Sequence, residues 1–279
     1  MKRKHISTIF IILIFLVGLG FISYPTVSNL WNQAHQSRAI ATYSKQVEKL
    51  DDSENKKMLK AARKYNKSLL KKSDHWKLSK KEKKKYESLL DVSGTGIMGY
   101  IEVPKIDCSL PIYHGTDEGA LQIAIGHLEG SSLPVGGKNT HCVLSGHRGL
   151  PSARLFTDLD QMEEGDIFIL NILGRKLAYE VDQIRVVLPE EMSDLEVIEG
   201  KDLCTLVTCT PYGINTHRLL VRGHRTKYVE EKVEEQKEVQ TKKMDTRLLI
   251  AGAAGAVILA VIIIAVVIRR QKRRRNQQR

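Results

Sequence analysis

The chain has 279 residues, long enough for a full globular core with attachments, and a net charge of +12. Ten of the excess positive charges sit at the two ends, three in Lys2 to Lys4 and seven in Arg269 to Arg279, which leaves about +2 for everything between. That distribution excludes a nucleic-acid-binding face and marks a membrane-topology signal instead.

Residues 1–23 pair a basic N-terminus with an apolar run, Ile6 to Ser23. The flank PTVSNLW offers no small-x-small cleavage site, so an uncleaved anchor is favoured over a signal peptide. Residues 24–97 form a helical extension. Asn29 to Leu70 places Leu30, Ile40, Val47, Leu50, Met58, Ala62 and Tyr65 at spacings compatible with one helix face, and Asp51 to Asn55 divides it into two helices. Residues 71–78 are a polar loop holding Asp74, His75 and Trp76. Ser79 then opens another helix, with Glu82 completing a capping box, and the helix ends near Leu90 before SGTG.

Residues 98–225 change to strand periodicity. The candidates are Tyr100 to Val103, Ser109 to Tyr113, His141 to Ser145, Ile167 to Ile172, Leu177 to Val187, Cys204 to Thr208 and His217 to Val221. Gly174-Arg175 marks a hairpin turn, and short helices are expected over Glu118 to Ile125 and Ser152 to Leu159. Many strands with few helices predict a mainly β domain in a closed or nearly closed barrel. Residues 226–247 are charged and read as a stalk, helical or disordered. Leu248 to Ile268 is uncharged and long enough to span a bilayer, and residues 269–279 form its basic cytoplasmic tail. Two spans with both termini cytoplasmic place residues 24–247 outside the cell membrane.

The candidate chemistry gathers in TLVTCTPYGINTHRLLVRGHR, Thr205 to Arg225. Two β-runs flank a turn built on Pro211, Gly213 and Asn215, so Cys209 at the end of the first and Arg218 at the start of the second can face one cleft. A thiol needs a base or a positive charge to act as a thiolate. His147, where the run His141 to Ser145 enters a Gly-rich loop, is one candidate base; His114, His141, His217 and His224 are its rivals. Arg222 and Arg225 compete with Arg218. Cys108, Cys142 and Cys204 lie in apolar runs, where a buried inert thiol is the default. Cys204 and Cys209 share a strand and point to opposite faces, which disfavours a bridge between them. No spacing suggests a metal site, and no cofactor is implied.

TLVTC followed by Arg218 resembles the sortase TLxTC-Arg signature, SGHRGLPSARLFTDL the segment carrying the sortase histidine, and GIMGYIEVPKI with LPIYHGT the opening strands of that family's barrel. The pilus-assembling class C sortases of Gram-positive cell walls fit best. The resemblance implies an eight-stranded sortase barrel with N-terminal helices and a lid, flanked by two transmembrane helices, with Cys209, His147 and Arg218 catalytic. It implies that an LPxTG-like signal near the C-terminus of a pilin or surface-protein precursor is cut between Thr and Gly through a thioacyl intermediate. A lysine amine of an acceptor pilin then takes the acyl group. The alternatives are a housekeeping sortase acting on peptidoglycan and a non-catalytic pilus-assembly scaffold. Class C members often carry an Asp-Pro-aromatic lid. Here Asp74-His75-Trp76 departs from it at the middle residue, which removes a fixed φ and implies a more mobile lid. By position, Asp74 is expected to pair with Arg218 and Trp76 to pack on Cys209.

Overall fold

The computed structural model describes residues 2–238. The expected second span, the basic tail and the rest of the stalk lie outside the described residues. The first helix, α1 (Lys2–Lys49), runs unbroken through the apolar N-terminal stretch, with Pro25 inside it. Phe10, Leu13, Phe15, Phe21 and Ile22 on this stretch are exposed. The chain breaks at Leu50 and Asp51, and Asp51 caps α2 (Asp52–Leu69) in a capping box with Glu54. After residues 71–78, Ser79 and Glu82 form a second capping box at the start of α3 (Lys80–Glu87).

Eight strands then close into a barrel: β1 (Ile97–Val103), β2 (Cys108–His114), β3 (Ile125–His127), β4 (Thr140–Ser145), β5 (Ile167–Ile172), β6 (Arg175–Val187), β7 (Asp202–Thr210) and β8 (His217–Thr226). Around the barrel the order is β1-β2-β3-β4-β7-β8-β6-β5. The β2–β3 and β4–β7 pairs are parallel and the remainder antiparallel. Alternate residues fill the interior, among them Ile101, Leu144, Phe168, Leu170, Leu206 and Val221. Phe168 stacks on Tyr179 with ring centroids 5.5 Å apart, a contact worth about 0.5–1.5 kcal/mol beyond its buried area.

The helices are fastened to the barrel by buried polar groups as well as by apolar contact. From α1, the Tyr43 hydroxyl donates to Met98 O and accepts from Leu173 N, both at 2.9 Å. From α2, Asn66 clamps Leu133 through both backbone groups, at 2.8 and 3.1 Å. From α3, the Tyr86 hydroxyl bonds His127 and accepts from Gly115 N. Residues 230–238, in the segment expected as a stalk, are helical. Val233 there is buried against Ile167, Ile169 and Ala178, so the helix docks on β5 and β6.

Two expectations are corrected. The helix at Glu118 to Ile125 is a single turn, α4 (Glu118–Leu121), because Ile125 begins β3. That strand has three residues centred on Gly126, whose missing side chain lets the Gly115 carbonyl approach; a Cβ there would lie within 2.1 Å of it. Ser152 to Leu159 is not helical either. Leu155 sits at φ +41, and Phe156 N bonds His147 O, so the segment folds back on the loop after β4.

Candidate active site

Three neighbouring strand ends carry the site. β7 and β8 pair antiparallel from Leu203↔His224 to Thr210↔His217, and Cys209 is the direct partner of Arg218. Residues opposite one another in such a pair project from one face. On the other side of β7, β4 runs parallel from Thr140↔Asp202 to Ser145↔Val207. Continuing that register two residues brings His147 alongside Cys209. The continuation is held in place: Gly146 N bonds Val207 O at 3.0 Å, and the Thr208 hydroxyl donates to Gly146 O at 2.8 Å. His147, Cys209 and Arg218 therefore form one row across β4, β7 and β8.

The loops around the row are braced. Arg218 Nη1 donates to Asn215 O at 3.2 Å and to His217 O at 3.1 Å, which folds the guanidinium back on its own turn. Both bonds use one nitrogen, so Nε and Nη2 remain open to a substrate carbonyl among the described residues. Arg148 pairs with Asp160 and lies over the Tyr212 ring at 5.8 Å, tying the His147 loop to the turn after Cys209. His147 Nε2 is shielded from solvent without a hydrogen-bond partner, and Glu118 Oε2 lies 3.9 Å from it.

Val143, Val207, Leu220, Val187 and Leu195 make an apolar cluster next to the row, and Trp76 packs on it. Val207 and Leu220 are each two residues from Cys209 and Arg218 on their strands, so the ring and that row share one face. Trp76 Nε1 donates to Glu196 Oε1 at 2.9 Å, and His75 Nε2 meets Oε2 of the same carboxylate at 2.9 Å. His75 Nδ1 reaches Gly130 O at 2.9 Å. Gly130 has φ +90, and a Cβ on it would come within 2.6 Å of His75 O, so the segment rests on a bare backbone. The expected pair of Asp74 with Arg218 is not formed. Asp74 pairs with Lys77 at 3.2 Å, and Arg218 turns one nitrogen, Nη1, to the carbonyls of its own turn. Glu196 is the carboxylate the segment uses.

A family model for the sortase domain matches residues 101–226. Among solved structures, sortase C1 from Streptococcus agalactiae is 53% identical, with 69% of this chain and 100% of that chain covered and a TM-score of 0.67. Sortase C of Clostridium perfringens, solved with the C-terminal cell wall sorting motif, is 44% identical over 69% of this chain and 100% of that one, with a TM-score of 0.61. The chain belongs to the sortase family. Among curated relatives, sortase D of Bacillus subtilis is 32% identical over 130 residues, 46% of this chain and 63% of that protein's length. The enzyme is thus a cysteine transpeptidase, related to sortases of class C.

In this sortase the rival histidines have other work. His141 is buried between Glu196 O and Thr205 Oγ1, and burial keeps its pKa below the ordinary value. His114 is held by Gly96 O and Leu89 O, and burial lowers it likewise. His217 bonds Thr216, and His224 lies near Asp182. The rival arginines are also engaged, Arg222 with Asp182 and Arg225 with Ala178 O. All four cysteines are unbridged. Desolvation pushes Cys108 up to about 12 and Cys204 well above the ordinary thiol range. Cys142 and Cys204 face each other in register inside the barrel. Cys209, half-exposed at the strand end, is the thiol placed beside both a histidine and an arginine. Sequence reading did not find Glu196, Gly130 or Glu118. Gly130 and Glu118 carried faint signals as a turn glycine and a helix-opening acid, and Glu196 carried none.

Proposed function

We propose that this sortase is a membrane-anchored pilin polymerase that cuts an LPxTG-like sorting signal between Thr and Gly and joins the acyl fragment to a lysine of the next subunit. The observation that carries this reading is the row of His147, Cys209 and Arg218 across β4, β7 and β8. The Cys209 thiolate attacks the Thr carbonyl carbon, forming a C–S bond and an oxyanion that the free donors of Arg218 stabilise. Collapse breaks the Thr–Gly C–N bond, and the His147 imidazolium protonates the leaving amine. A lysine amine then attacks the thioester. The new C–N bond forms, the C–S bond breaks, and neutral His147 takes the amine's proton as Cys209 leaves as thiolate.

Residues 71–78 act as a lid. Trp76 fills the apolar groove beside Cys209 that a sorting signal's apolar side chains would use, and Glu196 holds it there. The Clostridium perfringens relative solved with a sorting motif supports a peptide signal as the donor. The exposed apolar stretch of α1 supports a membrane anchor.

The test is mass spectrometry of the products formed when full-length protein in detergent meets an LPxTG-type peptide and a candidate pilin. An isopeptide-linked pilin–peptide conjugate is expected. Conjugates only to a peptidoglycan-like amine would indicate a housekeeping sortase, and no conjugate with any amine would indicate a scaffold.

A further inference from the structure

His147 has a carboxylate neighbour that the transpeptidase reading does not use. Glu118, on the single turn α4, has Oε2 3.9 Å from His147 Nε2. Its other oxygen, Oε1, accepts from Gln122 Nε2 at 2.5 Å, one helical turn on. Gln122 therefore fixes the carboxylate and leaves Oε2 directed at the imidazole. The Nε2 atom it faces is hidden from solvent and has no hydrogen-bond partner. A buried ring nitrogen without a partner is costly, and hydrogen bonds at substrate-free sites are often long and tighten in the substrate complex.

The other charged groups bordering the ring do not take this role. Arg148, in the same loop, is paired with Asp160. Cys209 and Arg218 stand on the side of the ring where the scissile bond must lie. The backbone of α4 is also anchored against movement. Gln36 Nε2 of α1 donates to Ile123 O at 2.7 Å, and Ala124 N bonds Ala120 O at 2.9 Å, fixing the helix exit just before β3.

We propose that Glu118, steered by Gln122, is the positioning residue for His147, holding the imidazole by Nε2 so that its other ring nitrogen faces the departing amine. The assignment rests on the proposed transpeptidase reading. The base is then itself oriented by a third group, the arrangement that nucleophile–base pairs use generally. Glu118 does not touch the reacting atoms.

The experiment measures kcat and KM for peptide cleavage by full-length wild type, Glu118→Gln, Glu118→Asp and Gln122→Ala at one fixed pH, with the ring-nitrogen NMR resonances of isotope-labelled His147 recorded in each. A carboxylate that accepts from Nε2 changes the chemical shift of that nitrogen, so the Nε2 resonance should move in Glu118→Gln, return part of the way in Glu118→Asp and move by less in Gln122→Ala. The value of kcat should fall severalfold in Glu118→Gln while KM stays near wild type, and Glu118→Asp should recover part of the loss. An unmoved Nε2 resonance in Glu118→Gln overturns the assignment. Should that variant fail to fold, an unmoved resonance in Gln122→Ala does the same. Because the resonance needs no turnover, a wild-type protein inactive on sorting peptides would defeat the transpeptidase reading while the Glu118–His147 contact is still read.

Discussion

Trp76 and Glu196 are joined by a 2.9 Å hydrogen bond from the indole N–H to one carboxylate oxygen, across 120 residues of sequence. With His75 on the second oxygen, the carboxylate fastens the proposed lid at two adjacent residues. Asp74, bound to Lys77 next to it, fastens nothing outside its own turn.

Glu196→Ala should therefore open the lid more than Asp74→Ala does. Bonds to a partly exposed charged acceptor are together worth about 1 kcal/mol, which raises the open fraction roughly fivefold. Alkylation of Cys209, followed by peptide mass spectrometry, should accelerate by that order in Glu196→Ala and little in Asp74→Ala. Equal rates in the two variants would remove Glu196 from the latch.

Acid should release the same latch. Burial pushes the Glu196 carboxyl up, but the hydrogen bonds from His75 and Trp76 outweigh it and hold it below the usual carboxylate range. A carboxylate depressed in the closed state contributes closure that is present above its unperturbed pKa and is lost as pH falls through its closed-state pKa. In a Trp31→Phe background Trp76 is the sole indole. Its emission should move to the red as that transition is crossed, and Glu196→Gln should abolish the pH-dependent step.

Gly130→Ala tests the seat under the lid. The new Cβ would meet His75 O at 2.6 Å and Trp76 Cα at 2.8 Å, at a φ of +90 that already disfavours a side chain. The lid should be displaced and Cys209 alkylated faster. The melting temperature should drop by no more than a few degrees, since the barrel interior is untouched. A wild-type alkylation rate in this variant would show that the seat does not govern access.

Among the thiols, Cys209→Ala should abolish cleavage and transfer. Cys108→Ala, Cys142→Ala and Cys204→Ala should retain activity in proportion to their folded fraction. Arg218→Lys should be severely impaired, because an ammonium cannot reproduce the planar pair of donors. Product assays by mass spectrometry check all five, and turnover by Cys209→Ala would end the thioacyl mechanism.

The row of His147, Cys209 and Arg218 was legible as a set of strand ends because each marks a place where β-branched periodicity stops against Gly, Pro or Asn. His147 needed the family resemblance to stand out from its rivals, since the hydrogen bonds that occupy His114 and His141 leave no trace in local sequence. β3 was missed because three residues centred on Gly126 are too few to show alternation. Ser152 to Leu159 misled because helix-compatible spacing says nothing of Leu155 at positive φ. The lid segment was visible as a polar loop holding a tryptophan. Its anchor was not, because Glu196 looks like any surface acid until the fold brings it under His75 and Trp76.

The unbroken course of α1 has a mechanical meaning. At about 1.5 Å per residue, Tyr43, where the helix is pinned to Met98 and Leu173, stands about 30 Å beyond Tyr24. In the membrane-anchored reading, the barrel rides on a helical mast of set height that can bend at its foot, where Pro25 removes a backbone hydrogen bond, whereas a slack tether would let it sweep a hemisphere. A donor protein held in the same bilayer must then present its cleavage point at that one altitude, so the spacing between a donor's own anchor and its signal becomes part of what this enzyme selects.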